Sequence, residues 1–401
     1  MRIMKNDTNI KKCLMVTPRI PYPPNDGGAI RMFNILKSLS RNYELDLLTF
    51  DEGENEENLE KLRKYCNKTV RIKLPSSKLR NGTCFLKSLF LRWPYVYLRY
   101  SSGKMASALK RINDEEEYDF IFFNNLHTAQ YCKHVKDTPA IADLHNNDSV
   151  IMKRWAERQS SYLMKKLGNI QARYIMKSLR KILSQIDLVI TVSEKEKRQL
   201  QKFAPKTEFI TANNGVDLEY FTPSQKPAEE PNLLFTGDMA WWPNTDASFF
   251  FLKEIFPQIR KESPDAKLIL AGRRPPEDLC SQAGDHVEIT GFVDDIRPYF
   301  HLAKVFVVPL RVGGGTRLKI LEAMAMKIPV VSTSIGCEGL EVKDGDHLMI
   351  KDDPVKFSQA VIYLLNDDML SEKLIKNSFK LVSTKYDWEI IMRDLINKLE
   401  G

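Results

Sequence analysis

The sequence predicts an α/β protein with two doubly wound domains, each built on a parallel sheet covered on both faces. Short apolar or β-branched runs alternate with longer segments of helical periodicity along the chain. This alternation is typical of parallel sheets with buried strands. It occurs as two series, and the Pro-rich, polar stretch at 213–231 lies between them. A chain of 401 residues is long enough for two domains.

Each series contains five predicted strands with helices between them. The strands of the first are Cys13–Thr17, Leu45–Phe50, Asp119–Phe123, Ala140–Asp143 and Asp187–Thr191, with helices at 29–40, 56–66, 127–136, 150–184 and 194–203. The strands of the second are Asn232–Thr236, Lys267–Ala271, Val287–Thr290, Val305–Val308 and Pro329–Ser332, with helices at 244–261, 276–282, 294–303 and 317–326. Two further helices are predicted at 369–384 and 386–399.

These patterns predict the domain limits. The N-terminal domain covers 1–222 and the C-terminal domain 223–385, and a last helix at 386–401 is expected to pack back toward the N-terminal domain. Ligands of doubly wound sheets bind beyond the carboxyl ends of the strands. Two such domains facing each other would therefore form a central ligand cleft.

The net charge of +8 is unevenly distributed. Residues 1–222 carry a net charge of +13 and residues 223–401 one of −5. The stretch 61–112 has 14 basic side chains, several aromatic residues and no acidic residue, and 153–181 has nine basic side chains against Glu157. Such stretches are typical of contacts with nucleic acid or an anionic membrane, or of a solvated basic face. No nucleic-acid-binding motif is found, so the membrane is favoured over nucleic acid as a partner.

Cysteine usage and hydropathy indicate the compartment. The six cysteines form no CxxC or metal-spaced pair, which favours a reducing compartment. No signal peptide is recognised, and no apolar run approaches the roughly 18 residues of a membrane span. We therefore expect a cytoplasmic protein, with peripheral binding to the inner face of the cell membrane if the basic stretches do contact lipid. Asp344-Gly345-Asp346 matches a DxD metal motif, but we interpret it as a turn and predict no metal site.

The most informative stretch is 311–326, RVGGGTRLKILEAMAM. Arg317 and Lys319 stand where a helix N-terminus disfavours cations, which makes sense if an anion binds there. Glu322 interrupts an otherwise apolar run, and a carboxylate in such a run usually has a specific partner. Together they suggest a nucleotide diphosphate held at phosphate and ribose. The alternative is a flexible turn with Thr316 as N-cap and a surface ion pair between Lys319 and Glu322.

Other strand ends carry candidate residues. Gly27 and Gly28 begin the first predicted helix and allow close approach of a ligand, with Arg31 one turn inside. Asp143 and His145 follow another strand, where a histidine can polarise a reacting group. A rigid Pro-rich loop and a structural histidine are the alternatives for these two segments.

Taken together, these residues resemble the retaining glycosyltransferases of family 4, which have the GT-B fold. The matching segments lie in the expected order along nearly the whole chain: PYPPNDGGAIR at 21–31, DLHNNDS at 143–149, ITVSEKEK at 190–197, NNGVD at 213–217, FTGDMAWWPNTDA at 235–247, GFVDDIRPYF at 291–300, GGGTRLKILEAMAMKIPVVST at 313–333 and YDWE at 386–389. The block at 311–333 is highly specific and the others are individually modest.

The resemblance implies transfer of a sugar from a nucleotide diphosphate sugar with retention of configuration, without a metal or other cofactor. It implies a catalytic role for His145, as a positioning and electrostatic group, and we group Asp143, Arg317 and Lys319 with it. The residues implied in donor binding are Gly27, Gly28, Arg31, Gly237, Arg273, Val293, Gly313, Gly314, Gly315, Thr316 and Glu322. Among these, Glu322 would hold the ribose hydroxyls and the backbone around Val293 would meet the base.

Two departures from the family pattern bear on the chemistry of the donor site, and a third, Lys327-Ile328 in place of a glycine, bears only on a helix end. Gly314 stands where the family often has a first glutamate, so the donor sugar cannot be assigned by analogy. Asp238 stands where an arginine is common, with Pro243 and Asn244 near the place of a lysine. We expect the cations of GGGTRLK to substitute for that Arg/Lys pair.

The expected role is synthesis of a cell-surface polysaccharide or glycolipid, with a glycan or lipid-linked acceptor. A nucleotide-sugar epimerase or a glycosyl phosphorylase of the same fold is a second enzyme reading. A catalytically inactive nucleotide-sugar-binding partner of another transferase is the non-enzyme alternative.

Overall fold

The computed structural model describes residues 10–53, 56–74, 77–135, 137–224 and 228–400, and it confirms the predicted α/β class with two doubly wound parallel sheets. The chain forms two compact units. Unit 1 extends to Asn213 and includes the residues from Met392 onward, and unit 2 is Asn214–Ile391. Parts of the predicted N-terminal domain, linker and basic stretch, at 1–9, 225–227 and 75–76, lie outside the described residues.

The sheet of unit 1 contains seven strands within the described residues. They are β1 (Lys12–Thr17), β2 (Glu44–Asp51), β3 (Lys68–Lys73), β4 (Phe120–Asn124), β5 (Ala140–Leu144), β6 (Leu188–Thr191) and β7 (Glu208–Thr211). Their spatial order is β3-β2-β1-β4-β5-β6-β7, with all neighbours parallel. The order reverses between β1 and β4, so the loops after these strands diverge at the switch point.

Helices cover this sheet. They are α1 (Gly27–Asn42), α2 (Glu56–Arg63), α3 (Lys78–Leu91), α4 (Tyr95–Arg99), α5 (Gly103–Glu115), α6 (Leu126–Ala129), α7 (Asp148–Glu157), α8 (Tyr162–Leu183) and α9 (Glu194–Leu200). The predicted helix 127–136 is α6 followed by a 3₁₀ turn at Cys132–His134, and position 136 lies outside the described residues.

The predicted single helix 150–184 is wrong, because it is two helices, α7 and α8. They pack closely at Gly168, where a Cβ would lie 2.7 Å from Cβ of Ala156 and 2.9 Å from the ring of Trp155. The long periodic pattern therefore belongs to two helices joined by a short connection. Glycine at position 168 allows their close approach.

The sheet of unit 2 contains six strands within the described part of the chain. They are β8 (Asn232–Thr236), β9 (Lys267–Ala271), β10 (Val287–Gly291), β11 (Val305–Val308), β12 (Val330–Ser332) and β13 (Met349–Ile350). Their order is β10-β9-β8-β11-β12-β13, again with parallel neighbours. The switch point lies between β8 and β11.

The helices of unit 2 differ in length from the predicted ones, and α15 has no counterpart among the predictions. They are α10 (Trp242–Phe250), α11 (Phe256–Glu262), α12 (Glu277–Cys280), α13 (Arg297–Leu302), α14 (Leu318–Ala325), α15 (Pro354–Asn366) and α16 (Asp368–Lys385), and α17 (Trp388–Glu400) begins in unit 2 and ends in unit 1. A π-helical segment, Phe251–Ile255, joins α10 to α11 within the predicted helix 244–261.

The division between the units falls at Asn213, before the predicted boundary at 222. Gly215 lies against Trp388, where a Cβ would be 2.9 Å from the indole ring, and Val216 forms a bridge to Asp387. These contacts assign the residues just after Asn213 to unit 2. The C-terminal end of α17 belongs to unit 1, and Lys398 Nζ there donates to the carbonyl of Thr211 at 3.3 Å.

Candidate functional site

The candidate residues of unit 2 lie at the carboxyl ends of three adjacent strands. Gly237 follows β8, Arg273 follows β9, and the glycine loop, Gly313–Thr316, follows β11. Because β9, β8 and β11 are parallel neighbours, these loops emerge at one edge of the sheet. The structure therefore places these three segments at the same edge of the unit 2 sheet.

Lys319, in the first turn of α14, contacts residues of β8 and α10. Its Nζ donates to Oδ1 of Asn244 at 3.0 Å and lies 4.1 Å from the centroid of the Phe235 ring. A Cβ built on Gly237 would lie 2.8 Å from this Nζ and 2.7 Å from Nδ2 of Asn244. Glycine at 237 thus leaves the space in which the ammonium group lies. Asn244 was noted only as standing near a family lysine, and nothing in the sequence signalled this contact.

The charges of Lys319 and Glu322 are poorly compensated. Burial, reinforced by the positive charge of Arg317, lowers the pKa of Lys319 to about 7, and Glu322 opposes this shift only in part. Burial also raises the pKa of Glu322 to about 7, against the effect of Lys319. Within the described residues, the Glu322 carboxylate has no hydrogen bond or ion pair. The alternative of a surface ion pair between these two residues is therefore not realised.

Arg317 forms hydrogen bonds that hold the glycine loop in place. The Arg317 Nη1 group donates to the carbonyls of Gly314 and Gly315, the latter at 2.8 Å, and a Cβ on Gly313 would collide with Nη2. Gly315 has φ +71°, a left-handed conformation that favours glycine. Arg317 is the N-cap of α14, so the expectation that it lies in the first helical turn is wrong by one position. Its guanidinium turns back to hold the loop carbonyls.

Thr316 is also engaged within unit 2. It is buried, and its Oγ1 accepts a hydrogen bond from Nδ2 of Asn214 at 2.8 Å. It does not cap α14, because Arg317 occupies that position. The alternative reading of Thr316 as N-cap is therefore wrong, and its hydroxyl instead ties the loop to the segment that begins unit 2.

Arg273 approaches the acidic residue that replaces the family arginine. Its Nε donates to Oδ2 of Asp238 at 3.2 Å, and Arg274 also donates to this carboxylate. The two arginines after β9 and the aspartate after β8 thus form a charge cluster at the same edge of the sheet. Val293 lies in the loop between β10 and α13, next to the exposed Phe292.

In unit 1, the start of α1 is already capped. The Asp26 carboxylate accepts hydrogen bonds from the amides of Gly28 and Ala29, at 3.0 and 3.1 Å, and pairs with Arg19. The Gly28 amide is therefore already engaged by Asp26, and the expected close approach of a ligand at Gly27 and Gly28 stays a prediction. A Cβ on Gly28 would lie 3.3 Å from Nη2 of Arg19, 3.4 Å from Oδ1 of Asp26 and 3.8 Å from Nδ1 of His145, so glycine allows these side chains to approach the start of α1.

Arg31 is a buried partner of Asp143. The Arg31 side chain is 1% exposed, and its Nε donates to both carboxylate oxygens, at 3.1 and 2.9 Å. Its Nη1 donates to the carbonyls of Ala212 and Asn213. The Arg31 guanidinium is therefore buried rather than open to the expected donor contact. It fixes Asp143 instead.

Asp143 in turn faces His145. Burial alone would raise the pKa of the Asp143 carboxyl, but Arg31 and His145 outweigh this effect and lower it to about 2. Nε2 of His145 lies 3.1 Å from Oδ2 of Asp143. A carboxylate beside one ring nitrogen can orient an imidazole. The structure thus brings the predicted pair together, with Nδ1 on the side of Gly28.

Sequence analysis missed polar residues around this pair. Asn124, at the end of β4, donates to Oδ2 of Asp143 at 3.3 Å, and it could have been found as a polar residue ending a buried strand. Asp148 lies near Tyr97, whose hydroxyl is 3.3 Å from Oδ2, and burial raises the pKa of Asp148 to about 6. Burial lowers the pKa of His127 to about 4. The last two follow from packing that no local pattern reveals.

The DxD match is a turn, as interpreted. Asp344 accepts a hydrogen bond from the Ile350 amide at 2.7 Å and pairs with Lys351 at 2.6 Å. Among the described residues, no group of three His, Cys, Asp or Glu side chains is placed to hold a metal ion. No helix in the described part of the chain has the length and hydropathy needed to cross a bilayer.

Solved structures with this architecture cover almost the whole chain. Sucrose-phosphate synthase from Thermosynechococcus elongatus superposes with a TM-score of 0.72 at 18% identity, over 97% of this chain and 98% of the other. Anabaena HepE, in complex with UDP and glucose, gives a TM-score of 0.69 at 14% identity, over 97% and 99%. TarM gives 0.70 at 12% identity, over 98% and 99%. These similarities show the GT-B fold.

Two family models match consecutive parts of the sequence. The model described as Glycosyltransferase Family 4 matches residues 25–220, and the model described as Glycosyl transferases group 1 matches residues 230–367. The chain is a glycosyltransferase of the GT-B fold. The first match contains Gly27, His145 and their neighbours, and the second contains the glycine loop and Glu322.

Curated relatives of this glycosyltransferase include proteins of similar length. A Klebsiella pneumoniae protein described as an uncharacterized 44.6 kDa protein in the cps region is 25% identical over 94% of this chain and 96% of its own. The putative glycosyltransferase YtcC of Bacillus subtilis is 22% identical over 94% and 88%. A phosphatidyl-myo-inositol mannosyltransferase of Mycobacterium leprae is 27% identical over 51% of this chain and 56% of its own.

Proposed function

We propose that this enzyme is a retaining, metal-independent glycosyltransferase of family 4 with a nucleoside diphosphate sugar as donor. The observation that carries the proposal is the pair Lys319 and Glu322 on α14, which is partly buried, lacks a mutual ion pair and stands beside the glycine loop. A partly buried ammonium group and a partly buried carboxylate that do not pair with each other each raise the free energy of the protein unless a ligand binds them. A nucleotide offers a phosphate anion to Lys319 and hydroxyl donors to Glu322.

The donor's diphosphate is assigned to Lys319 and the glycine loop. Backbone amides at a glycine-rich loop followed by a helix favour an anion, and a phosphate near Lys319 would restore its charged form. Glu322 lies one turn further along α14, where its carboxylate would accept hydrogen bonds from ribose hydroxyls. The backbone around Val293, in the loop after β10, is proposed to meet the base.

Arg317 and Arg273 are assigned to charge stabilisation. In the transfer, the bond between the anomeric carbon and the phosphate oxygen breaks, and the nucleoside diphosphate leaves with the electron pair. Positive groups near that oxygen lower the barrier because they act where negative charge develops. Arg317 supports this indirectly, since it holds the carbonyls of the loop and so directs the loop's amides.

His145 is assigned a positioning and electrostatic role at the transferred sugar. The new bond joins the anomeric carbon to an acceptor oxygen on the face that the leaving group occupied, and the acceptor's proton leaves with the diphosphate. The arrangement of Arg31, Asp143 and His145 supports this role, because Arg31 holds Asp143 and the Asp143 carboxylate lies 3.1 Å from Nε2 of the imidazole. Retention and metal independence are part of this proposal.

The acceptor is proposed to be a glycan or a lipid-linked sugar in cell-surface polysaccharide or glycolipid synthesis. The relative in a cps region supports the polysaccharide context, and the mannosyltransferase relative has a lipid in its name. The donor sugar stays open, because Gly314 replaces a glutamate that is common in the family.

A donor screen tests the proposal. Purified enzyme is incubated with UDP-, GDP- and ADP-sugars, with and without a lipid or glycan extract, and nucleotide release and the fate of the sugar are followed. We expect release of one nucleoside diphosphate and a product whose anomeric proton shows the donor's configuration by NMR. An epimerised donor, or binding without turnover in the presence of extract, would contradict the proposal.

Removal of metal is a second test of the same proposal. Because Lys319 and the loop amides are assigned to the diphosphate, EDTA should leave the rate of nucleotide release within about twofold, since no metal supplies the charge stabilisation. A loss of turnover in EDTA that Mg²⁺ or Mn²⁺ restores would show that the metal-independent part of the proposal is wrong.

A further inference from the structure

Helix α3 exposes large apolar residues, whereas the residues that it buries, among those the structure describes, are the small Cys84 and Ser88. Leu79, Leu86 and Phe90 are 80%, 67% and 88% exposed, whereas Cys84 and Ser88 are buried. The three apolar residues are seven and eleven positions apart, so they form one stripe along the helix. A helix on a soluble protein normally turns such a stripe toward the core.

Specific contacts hold α3 in this orientation. Ser88 Oγ donates to the carbonyl of Trp93 at 2.7 Å and accepts from Nε2 of Gln171 at 2.8 Å. Oε1 of Gln171, on α8, also accepts from the amide of Tyr95 at 2.9 Å. Rotating α3 to bury its apolar stripe would break these bonds in a buried setting, which is unfavourable. The outward stripe is therefore a fixed feature of unit 1.

Basic side chains flank the stripe. Lys87 is exposed directly beside Leu86, and the whole stretch 61–112 has no acidic residue. The start of α8 repeats the combination, since Tyr162, Leu163 and Met164 are exposed and followed by two exposed lysines. Both helices thus present apolar side chains next to positive charge only.

We propose that α3, together with the start of α8, docks this enzyme on an anionic lipid surface. Leu79, Leu86 and Phe90 enter the interface between headgroups and acyl chains, and the neighbouring lysines face the phosphates. Apolar burial and attraction to anionic headgroups add in such helices. This surface lies outside the residues assigned to the donor, so it goes beyond the proposed function.

The charge pattern favours lipid over a second copy of the chain. In a twofold dimer through this face, the same patch meets itself, and lysines of one copy approach lysines of the other. Like charges in an interface are unfavourable. A bilayer with anionic lipids supplies the opposite charge and accepts apolar side chains without requiring a shaped partner.

Vesicle flotation tests the proposal. The full-length enzyme is mixed with vesicles of phosphatidylcholine alone or of phosphatidylcholine with phosphatidylglycerol, at low and at high salt. We expect flotation with the anionic vesicles only, and weaker flotation at high salt. Equal flotation with both compositions, or none with either, would overturn the proposal.

Paired substitutions locate the surface. Leu86→Ser/Phe90→Ser should weaken binding to the anionic vesicles by at least about tenfold, since burying even one such side chain contributes that much. Lys87→Glu should weaken it severalfold. Met369→Ser and Lys356→Glu, at exposed sites on unit 2, serve as matched controls and should leave binding unchanged.

Further measurements separate a loss of lipid binding from a loss of folding and from a change in self-association. All variants change exposed positions, so their thermal unfolding should match the wild type and their release of donor nucleotide in detergent should be unchanged. Sedimentation velocity without lipid should give the same molar mass for wild type and Leu86→Ser/Phe90→Ser. A dimer that this variant dissociates, or wild-type vesicle binding by the variant, would overturn the proposal.

Discussion

Lys319 is a cation that the fold keeps where its charge is unfavourable. Its Nζ has one hydrogen-bond acceptor in Asn244 and the face of Phe235, and burial lowers its pKa to about 7. Gly237 makes this position accessible, because any larger residue would occupy the space of the ammonium group. Residue 237 is thus the single position at which the geometry of the candidate site is most easily tested.

Gly237→Ala should displace Lys319 or the β8 loop. The added Cβ would approach both Lys319 Nζ and Asn244 Nδ2 below normal contact distance. We expect at least about a tenfold loss of nucleoside diphosphate affinity by isothermal calorimetry, since one charge-assisted hydrogen bond is worth about 1.5–3 kcal/mol. Gly284→Ala is the matched control, because nothing lies within 4 Å of its Cβ. Equal affinities of the two variants would argue against this arrangement.

The pKa of Lys319 also predicts a pH dependence. In the Glu322→Gln background, where the carboxylate no longer titrates and no longer raises the pKa of Lys319, affinity for a nucleoside diphosphate should fall as the pH rises through a value below about 7, because the ammonium group loses its proton. The fall approaches tenfold per pH unit. In Lys319→Met/Glu322→Gln this decrease should be absent, while titration of the phosphate itself appears in both proteins. The same pH profile for both would show that Lys319 does not contact the anion.

At the scale of elements, the contact between α7 and α8 depends on one glycine. Gly168→Ala should destabilise unit 1 by about 1–3 kcal/mol, because the new methyl group overpacks against Ala156 and Trp155. Gly82→Ala, on α3, is the matched control. Nothing lies within 4 Å of its Cβ, so alanine should be neutral or stabilising by up to about 1 kcal/mol. Urea unfolding measures both, and equal stabilities would contradict the packing described.

Some strands and helices could be predicted from the sequence and others could not, and the reasons are physical. The buried strands of both sheets were recognised because they are continuous apolar runs, such as Val305–Val308. The edge strand β3, KTVRIK, alternates between exposed and partly buried positions and carries three cations, so it was missed. Helix α3 was also missed, and its apolar residues face outward, which no pattern based on a buried face would place correctly.

The same distinction holds for the candidate site. Strand-end glycines and the charges of the block at 311–326 could be recognised because they are local in sequence. The partners of those charges could not, since Asn244 reaches Lys319 across 75 positions and Arg31 reaches Asp143 across 112. The sequence also placed Arg31 at the donor, whereas its burial makes it the support of Asp143.

At the scale of the whole molecule, the two units carry different kinds of chemistry. Unit 2 holds the glycine loop, Lys319 and Glu322, which fit a nucleotide. Unit 1 holds His145 with Asp143 and also the basic, apolar face of α3. The charge asymmetry between residues 1–222 and 223–401 matches this division of roles.

The central claim is that a nucleoside diphosphate binds at α14 with its ribose on Glu322, and calorimetric titration tests it most directly. UDP, GDP and ADP are titrated into the wild type, Glu322→Gln and the control Glu372→Gln, which changes an exposed residue of α16. We predict that one nucleotide binds the wild type and the control equally, and Glu322→Gln at least about tenfold more weakly, with unchanged thermal unfolding. Equal affinity of Glu322→Gln and the wild type, or no binding of any nucleotide to the wild type, would contradict the claim.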